Sequence, residues 1–464
     1  MTTEHAAALP PPVLGAFSDT LEHEAPRSTE EEVKDHVRDP VDVRNLAKVL
    51  RVIGAVAIIA AAVVCLFKQW PNGDDIRRYA TLLGFTALLP IAAFFCGLRI
   101  QEKKGARTLL GLAITVLPVH FAVLGGLLYS RFAMDATTGS VPAFALWVAP
   151  SDTTALATTG VALVLLAPLA FVSYLTFARG QALRLTLACV GLNLLLLIPM
   201  RDSHVVAGLV VGMVGALSVM ETRLWRSQSR LTTVEGRWAR ATLWLPLLFV
   251  VGRGLHLYAV SRLLSSVLWG AGAFLLFSGA PALARKRWVQ AGLQILSTGP
   301  AAVSWGLMVT FLDRQYGLPR EVLLPLATLP FAVLLTAMSL FCRSSGCGYR
   351  RAAAVIALAG AGMNLLMYPG ALASACCLFV AVTGLTYGFI AEQKLIFVAG
   401  LAAAVLAFVH YIHAAIRLTA LTHWGTMALL GIAIILAASA LERHFGQILH
   451  HAVVLRDRFK SWSY

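Results

Sequence analysis

Apolar blocks of about 20 residues recur along almost the whole chain, and a helix of that length crosses the hydrocarbon core of a bilayer. A helix also satisfies its own backbone hydrogen bonds where no water is present. Short segments that carry most of the charged residues separate the blocks. The pattern predicts an all-α fold, a polytopic transmembrane helical bundle of about 14 spans.

One of the predicted spans is much shorter than the others. It covers 241–252 and ends at Arg253, and a re-entrant segment is the alternative interpretation. The predicted spans are Val49–Phe67, Tyr79–Leu98, Leu109–Tyr129, Ala155–Phe177, Leu185–Met200, Val205–Met220, Ala241–Gly252, Leu263–Leu283, Trp288–Leu312, Val322–Phe341, Ala352–Tyr368, Ala371–Phe389, Leu395–Ile412 and Leu421–Leu441.

The overall composition agrees with a membrane protein. Of 464 residues, 58% are hydrophobic and 13% are charged, whereas a soluble domain has about 25% charged residues. The formal net charge of +15 comes mainly from basic segments between the apolar blocks, as the positive-inside rule requires of a multispanning protein. The lipid bilayer is therefore the expected partner, and no nucleic acid is predicted.

The basic segments also predict the orientation of the chain. With fourteen spans and a cytoplasmic N-terminus, about 27 Lys and Arg residues from Lys34 onward fall on cytoplasmic segments and about 10 on the other side. Without the span at 241–252 the distribution becomes about 21 against 16, which is hardly a bias. The sequence therefore predicts a bacterial-type inner (plasma) membrane protein with both termini in the cytoplasm.

The spans form two groups with a faint internal similarity. Asn193 in the fifth span and Asn364 in the eleventh lie in matching Gly-x-Asn-Leu-Leu motifs, and Pro118 matches Pro300 in the same order. A shift of six spans preserves orientation, so a parallel 6+6 repeat plus two C-terminal helices is predicted. The predicted parts are an acidic, largely disordered cytoplasmic tail (1–47), a first six-span bundle (48–220), a cytoplasmic loop (221–240), a second six-span bundle (241–390), two additional spans (391–441) and a basic amphipathic cytoplasmic tail (442–464).

Four polar residues are candidate substrate contacts. Asn193 and Asn364 lie inside spans, where an amide bonds to another helix or contacts a substrate on the repeat axis. Arg253 and Arg262 flank a short extracytoplasmic connection that also contains His256. The two arginines are interpreted either as snorkelling side chains or as an anion site for a phosphate or carboxylate headgroup.

Histidines near the C-terminal end form a candidate metal site. His410 and His413 lie on one face of the thirteenth span, and His423 begins the fourteenth at a similar depth. Three imidazoles at one place would suit zinc or copper, while interfacial histidines without metal are the alternative. His120 is the only histidine near the middle of a predicted span, and no second histidine completes a haem site. No other cofactor is predicted.

Carboxylates are absent from the middle of every predicted span, which argues against proton- or sodium-coupled transport. No nucleotide-binding or hydrolase motif occurs in a suitable setting, so an enzyme is the less expected class. The leading hypothesis is a transporter or flippase-like protein for a lipid-like or amphipathic substrate. The alternatives are a non-catalytic scaffold, assembly or sensor subunit that binds a protein partner through its N- and C-terminal tails, and an intramembrane metalloenzyme.

Overall fold

The computed structural model describes eight stretches of the chain, within which the secondary structure is helical and contains no strand. This confirms the predicted all-α class. The chain divides into two compact units, 1–59 and 60–464, and all packing described here lies within the second. The described residues are 41–67, 75–133, 146–199, 202–222, 233–256, 260–284, 286–342 and 346–420, with single positions at 432, 435 and 439.

Fourteen α-helices and two short 3₁₀ segments make up the described part of the chain. Ten of the helical stretches found there are long and apolar enough to cross a membrane, as expected of a membrane protein. The predicted span Leu421–Leu441 lies almost entirely outside the described residues. The helices are α1 Val41–Phe67, α2 Asp75–Leu98, α3 Lys103–Phe132, α4 Asp152–Phe177, α5 Ala182–Leu194, α6 Ser203–Met220, α7 Val234–Thr242, α8 Leu245–His256, α9 Arg262–Leu283, α10 Arg287–Tyr316, α11 Arg320–Phe341, α12 Gly346–Met367, α13 Ala371–Ile390 and α14 Lys394–Ala420.

Large apolar side chains cover the outside of the helices. Leu98, Leu340 and Ile390 are 80%, 79% and 75% exposed, and many other aliphatic and aromatic residues share this position. Contiguous apolar surface of this extent is unfavourable in water and marks contact with a membrane or a protein. The outward apolar surface agrees with the lipid-facing helices that the sequence predicts.

Several helix ends coincide with capping residues. Ser151 starts α4 with a reciprocal capping box, because its hydroxyl accepts from the Thr154 amide at 3.2 Å and Thr154 Oγ1 accepts from the Ser151 amide at 3.1 Å. Asp202 and Ser261 cap α6 and α9 in the same general way. Gly317 ends α10 with φ of 59°, a left-handed conformation that glycine adopts without strain.

From α2 to α14, helices that follow one another in the chain run antiparallel, except α7 and α8, which run in the same direction, so helix ends lie at two faces of the unit. In the α9–α10 pair, Ser266 near the start of α9 and Ser304 in the second half of α10 each donate a hydroxyl to the other's carbonyl, both at 2.8 Å. Helices α3, α5, α10, α12 and α14 begin at one face, called the basic face, and end at the opposite face. Basic side chains at the basic face include Lys103, Lys104, Arg107, Arg287, Arg350 and Lys394.

Helix α3 is the centre of the first bundle. Of its apolar stretch 72% is buried, against 39% at most for the other nine membrane-length helices of the described residues. It packs against α2, α4, α5, α7 and α8. Glycines permit the closest approaches: a Cβ on Gly125 would collide with the carbonyl oxygen of Leu196, and one on Gly126 would lie 3.3 Å from Trp147 Cβ. The first half of the chain therefore folds around one fully surrounded helix.

The short predicted span corresponds to two helices, α7 and α8, that together run along α3. At the basic face, a Cβ on Gly111 of α3 would lie 3.2 Å from Trp238 Nε1 of α7. Toward the opposite face, a Cβ on Gly125 would lie 3.4 Å from Arg253 Nη1 of α8. Fourteen residues of α3 separate the two glycines, which is about 21 Å at the helical rise. The segment 234–256 thus extends for most of a bilayer core.

The second half of the unit packs differently from the first. Helix α10, the predicted counterpart of α3, buries only four residues, Gln294, Ser297, Ala301 and Val309. Helices α13 and α14 approach so closely that a Cβ on Gly388 would lie 2.6 Å from the backbone nitrogen of Phe397. This half has no central helix comparable to α3 among its described residues. It has two small cores instead, one among α12–α14 and one between α11 and α12. The internal repeat stays a prediction, since the matched helices have unlike surroundings.

Candidate functional site

An apolar groove of about 360 Å³ lies between α11, α12 and α13, in the half of the unit next to the basic face. We call it the Arg350 groove, because Arg350 is the only charged residue among those that line it. Its apolar walls come from α11 (Leu329, Ala332, Val333), α12 (Ala353, Ala354, Ala357, Leu358) and α13 (Phe379, Val380, Gly384). The groove therefore combines a long apolar wall with one cation.

Small residues create the space for the groove. Three alanines of α12 face it, at 353, 354 and 357, so that helix presents only methyl groups to the groove over about one turn. Gly384 on α13 allows close packing at the base, because a Cβ there would lie 3.2 Å from Leu358 Cδ2. Both lining threonines use their hydroxyls within their own helices: Thr336 donates to Ala332 O at 2.9 Å and Thr383 to Phe379 O at 2.8 Å. Neither hydroxyl therefore donates its proton to a ligand, and the wall acts as an apolar surface.

Arg350 supplies the positive charge at the end of the groove that lies near the basic face. Its Nε donates to Gly346 O, with a long separation of 3.4 Å, and no acidic side chain of the described residues forms an ion pair with it. The two Nη groups can bind a phosphate or carboxylate in a bidentate manner. Tyr387 adds a hydroxyl to the same lining. A ligand with an anionic group on an apolar chain is complementary to this lining, because the anion matches Arg350 and the chain matches the apolar wall.

The predicted arginine pair is divided between two different settings. Arg253 on α8 donates from Nη1 to Leu196 O at 3.2 Å, a carbonyl in the 3₁₀ turn that ends α5. A cation at a helix C-terminus satisfies carbonyls that lack an intrahelical partner. Arg262 is the first residue of α9, after the capping Ser261. In the structure, Arg253 therefore stabilises a helix end, and the anion site remains a prediction.

The two predicted asparagines are both buried away from the Arg350 groove. Asn193 on α5 and Asn364 on α12 are 0% and 1% exposed. Asn193 Nδ2 donates to Cys189 O at 2.8 Å within its own helix. In both residues Oδ1 has no hydrogen-bond partner among the described atoms. The two matched asparagines are thus alike in their burial and in the unpaired Oδ1, and substrate contact remains a prediction for both.

The predicted metal site is only partly described. His410 is half-buried and His413 is exposed on α14, while His423 lies outside the described residues. Among the residues that the structure does describe, no group of three His, Cys, Asp or Glu side chains is placed to hold a metal ion. The tails that are predicted to bind a protein partner, 1–47 and 442–464, likewise fall almost wholly outside them. The metal site and the binding of a protein partner by the tails therefore remain predictions.

Sequence reasoning missed the partners of His120. In the centre of α3, His120 Nε2 lies 2.8 Å from Thr86 Oγ1 of α2, and the Tyr79 ring meets the imidazole edge-on at a centroid distance of 5.7 Å. Above them, Arg78 stacks on Trp147 at 4.1 Å and approaches Asp75 at 3.7 Å. Tyr79 and Thr86 are seven residues apart and so share a face of α2, which is the only signal in the sequence.

In comparisons with known proteins, no family model, curated protein or solved structure matches the chain. The Arg350 groove is therefore the feature of the molecule from which its function is inferred.

Proposed function

We propose that this protein is a transporter or flippase-like membrane protein that binds an amphiphile with an anionic group in its headgroup and moves it across the bilayer. The Arg350 groove is the observation that carries the proposal. Its volume of about 360 Å³ falls within the range of about 300–1,000 Å³ typical of small-molecule sites. The groove offers room for one apolar chain beside Phe379 and Ala354, with a guanidinium at its end.

Selectivity in such a groove comes from the charge and not from the apolar wall. An acyl chain that leaves the bilayer for the groove exchanges one apolar environment for another, so its burial contributes little binding energy. A charge-assisted hydrogen bond to an anionic headgroup contributes about 1.5–3 kcal/mol. Arg350 is therefore the residue that should contribute most of the binding energy for the anionic group of the headgroup.

The proposed topology is a multi-pass inner-membrane protein with fourteen spans and both termini in the cytoplasm. The passage of 234–256 along about 21 Å of α3 supports counting this segment as a full crossing. Two ion pairs hold its start at the basic face, Arg107–Glu235 at 2.8 Å and Arg240–Glu221. With the basic face in the cytoplasm, the Arg350 groove opens toward the cytoplasmic leaflet.

Binding of a fluorescent anionic lipid to the purified full chain in nanodiscs tests the proposal. Arg350→Gln should weaken binding about tenfold or more, because the loss of a charge-assisted bond exceeds 1.4 kcal/mol. Arg350→Lys should recover part of the affinity, since it keeps the charge without the bidentate geometry. Arg287→Gln is the matched control: it removes one exposed positive charge from the same face but does not line the groove.

Transport is measured in vesicles by the access of a membrane-impermeant quencher to the same lipid. Wild-type protein should transfer the lipid between leaflets, and Arg350→Gln should slow the transfer while Arg287→Gln does not. Equal binding and transfer by all variants would refute the assignment of Arg350. Absence of any lipid transfer by the wild-type protein would refute the transport function itself.

A further inference from the structure

A second groove, of about 430 Å³, lies between α10, α11 and α12 in the half of the unit next to the opposite face. We call it the Arg320 groove. Its apolar lining includes Val309, Leu323 and Leu324, and its charged lining residues are Asp313 and Arg320. Like the Arg350 groove, it therefore combines a long apolar wall with charged residues, but it carries charges of both signs.

Both grooves use α11, on opposite sides. The α11 residues of the Arg320 groove are 320, 323, 324 and 327, and those of the Arg350 groove are 329, 332, 333 and 336. Each member of the second set follows a member of the first by nine residues, which is two and a half helical turns. The two grooves are thus on opposite faces of one helix and are offset along it by about 13.5 Å. Helix α11 is the wall between them.

The charges of the Arg320 groove differ from those of the Arg350 groove. Neither Asp313 nor Arg320 takes part in any ion pair within the described part of the chain, although both line the same groove. The nearby Thr310 hydroxyl is already donated to Leu307 O at 2.8 Å. A carboxylate and a guanidinium that do not pair with each other can bind a ligand that carries both an ammonium and a phosphate.

We propose that the Arg320 groove is a second binding site for the transported amphiphile, and that this amphiphile carries a zwitterionic headgroup with a phosphate and an amine. The inference rests on the proposed function, because it names the substrate class of that same transport. Arg320 binds the phosphate and Asp313 binds the ammonium. In the Arg350 groove, Arg350 binds the phosphate alone, so that site accepts the headgroup with less discrimination.

Photolabelling of the full chain in nanodiscs tests this inference. The probes are phosphatidylethanolamine and phosphatidylglycerol with a diazirine in the acyl chain, and labelled peptides are mapped by mass spectrometry. Phosphatidylethanolamine should label 320–327 several-fold more than phosphatidylglycerol does. Asp313→Asn should remove this preference, and Arg320→Gln should reduce labelling by both probes. Labelling at 329–336 should be unchanged in both variants, which verifies that they are folded.

Two neighbouring residues serve as controls. Glu321→Gln and Arg314→Gln remove exposed charges at the same face that do not line the groove, and both should leave the labelling pattern unaltered. Equal labelling of 320–327 by the two probes, or a preference that survives Asp313→Asn, would overturn the zwitterionic site while the transport function stands. Absence of labelling in both grooves would contradict the proposed function as well.

Discussion

A histidine in the middle of α3 shows how a single residue constrains the packing of two helices. His120 is 0% exposed, and its only hydrogen bond within the described structure is the one to Thr86. Thr86 Oγ1 also donates to Leu82 O at 3.0 Å, so the hydroxyl accepts the Nε2 proton. This assigns the Nε2–H tautomer to His120. The pair fixes both the register and the rotation of α2 against α3.

Thr86→Val should destabilise the protein by about 1 kcal/mol, because the buried imidazole N–H then has no acceptor in an apolar interior. Thr81→Val is the matched control: Thr81 lies on the same helix and makes only the equivalent bond to its own backbone, to Arg77 O at 2.9 Å. The measurement is unfolding in mixed micelles by denaturing detergent. Equal stability of the two variants would mean that the Thr86–His120 bond contributes nothing.

At this scale the sequence identifies candidate residues but not their partners. His120 stands out because it is a polar residue in an apolar span, yet its bond to Thr86 depends on which helices pack together. Arg253 stands out as a charged residue at the end of the shortest predicted span, but its acceptor, Leu196 O, is a backbone carbonyl 57 residues away that no side-chain pattern marks. Arg350 has no distinguishing sequence signal, since basic residues occur at many span ends.

Helix α11 continues through Pro330 at the wall between the grooves, but it lacks one backbone hydrogen bond there. Pro330 has no N–H, so it leaves Leu326 O without its usual intrahelical donor. Trp305 of α10 compensates, because its Nε1 donates to Leu326 O at 3.0 Å. On the other side, a Cβ on Gly360 of α12 would overlap Thr328. The middle of α11 is thus held between α10 and α12 by a tryptophan and a glycine.

Trp305→Phe should loosen α11, because Leu326 O then has no donor in an apolar environment. We expect a loss of stability of about 1 kcal/mol and faster hydrogen exchange of the amides that follow Pro330. In a Pro330→Ala background the same change should cost much less, since the restored amide bonds to Leu326 O. Trp269→Phe on α9, an exposed tryptophan, is the control. Equal costs in the two backgrounds would contradict this role for Trp305.

Most helix boundaries are close to the predicted spans, and the largest difference has a physical cause. The span predicted at 241–252 is split, with α7 ending at Thr242 and α8 beginning at Leu245. Pro246 cannot donate to Thr242 O, so it starts a new helix instead of extending the old one. Helix α7 is amphipathic and polar, and hydropathy alone did not reveal it.

For the whole molecule, the two halves differ in a way that the sequence repeat does not predict. Of the apolar stretch of α3, 72% is buried, against 17% for α10, and both grooves lie beside α11 and α12. Each groove depends on which faces of three consecutive helices pack together, so no local pattern locates it. The sequence is sufficient for the class of fold, and the arrangement of helices is needed for the site.

The orientation of the whole chain provides the last prediction. A crossing by 234–256 places the end of α8 outside, the loop after α9 inside and the C-terminus inside. Reporter fusions after His256, after Lys286 and after Tyr464 should therefore give extracytoplasmic, cytoplasmic and cytoplasmic signals. If 234–256 re-enters the cytoplasm instead, all three signals invert. The Arg350 groove would then face the outer leaflet, and the order in which an amphiphile meets the two grooves would be reversed.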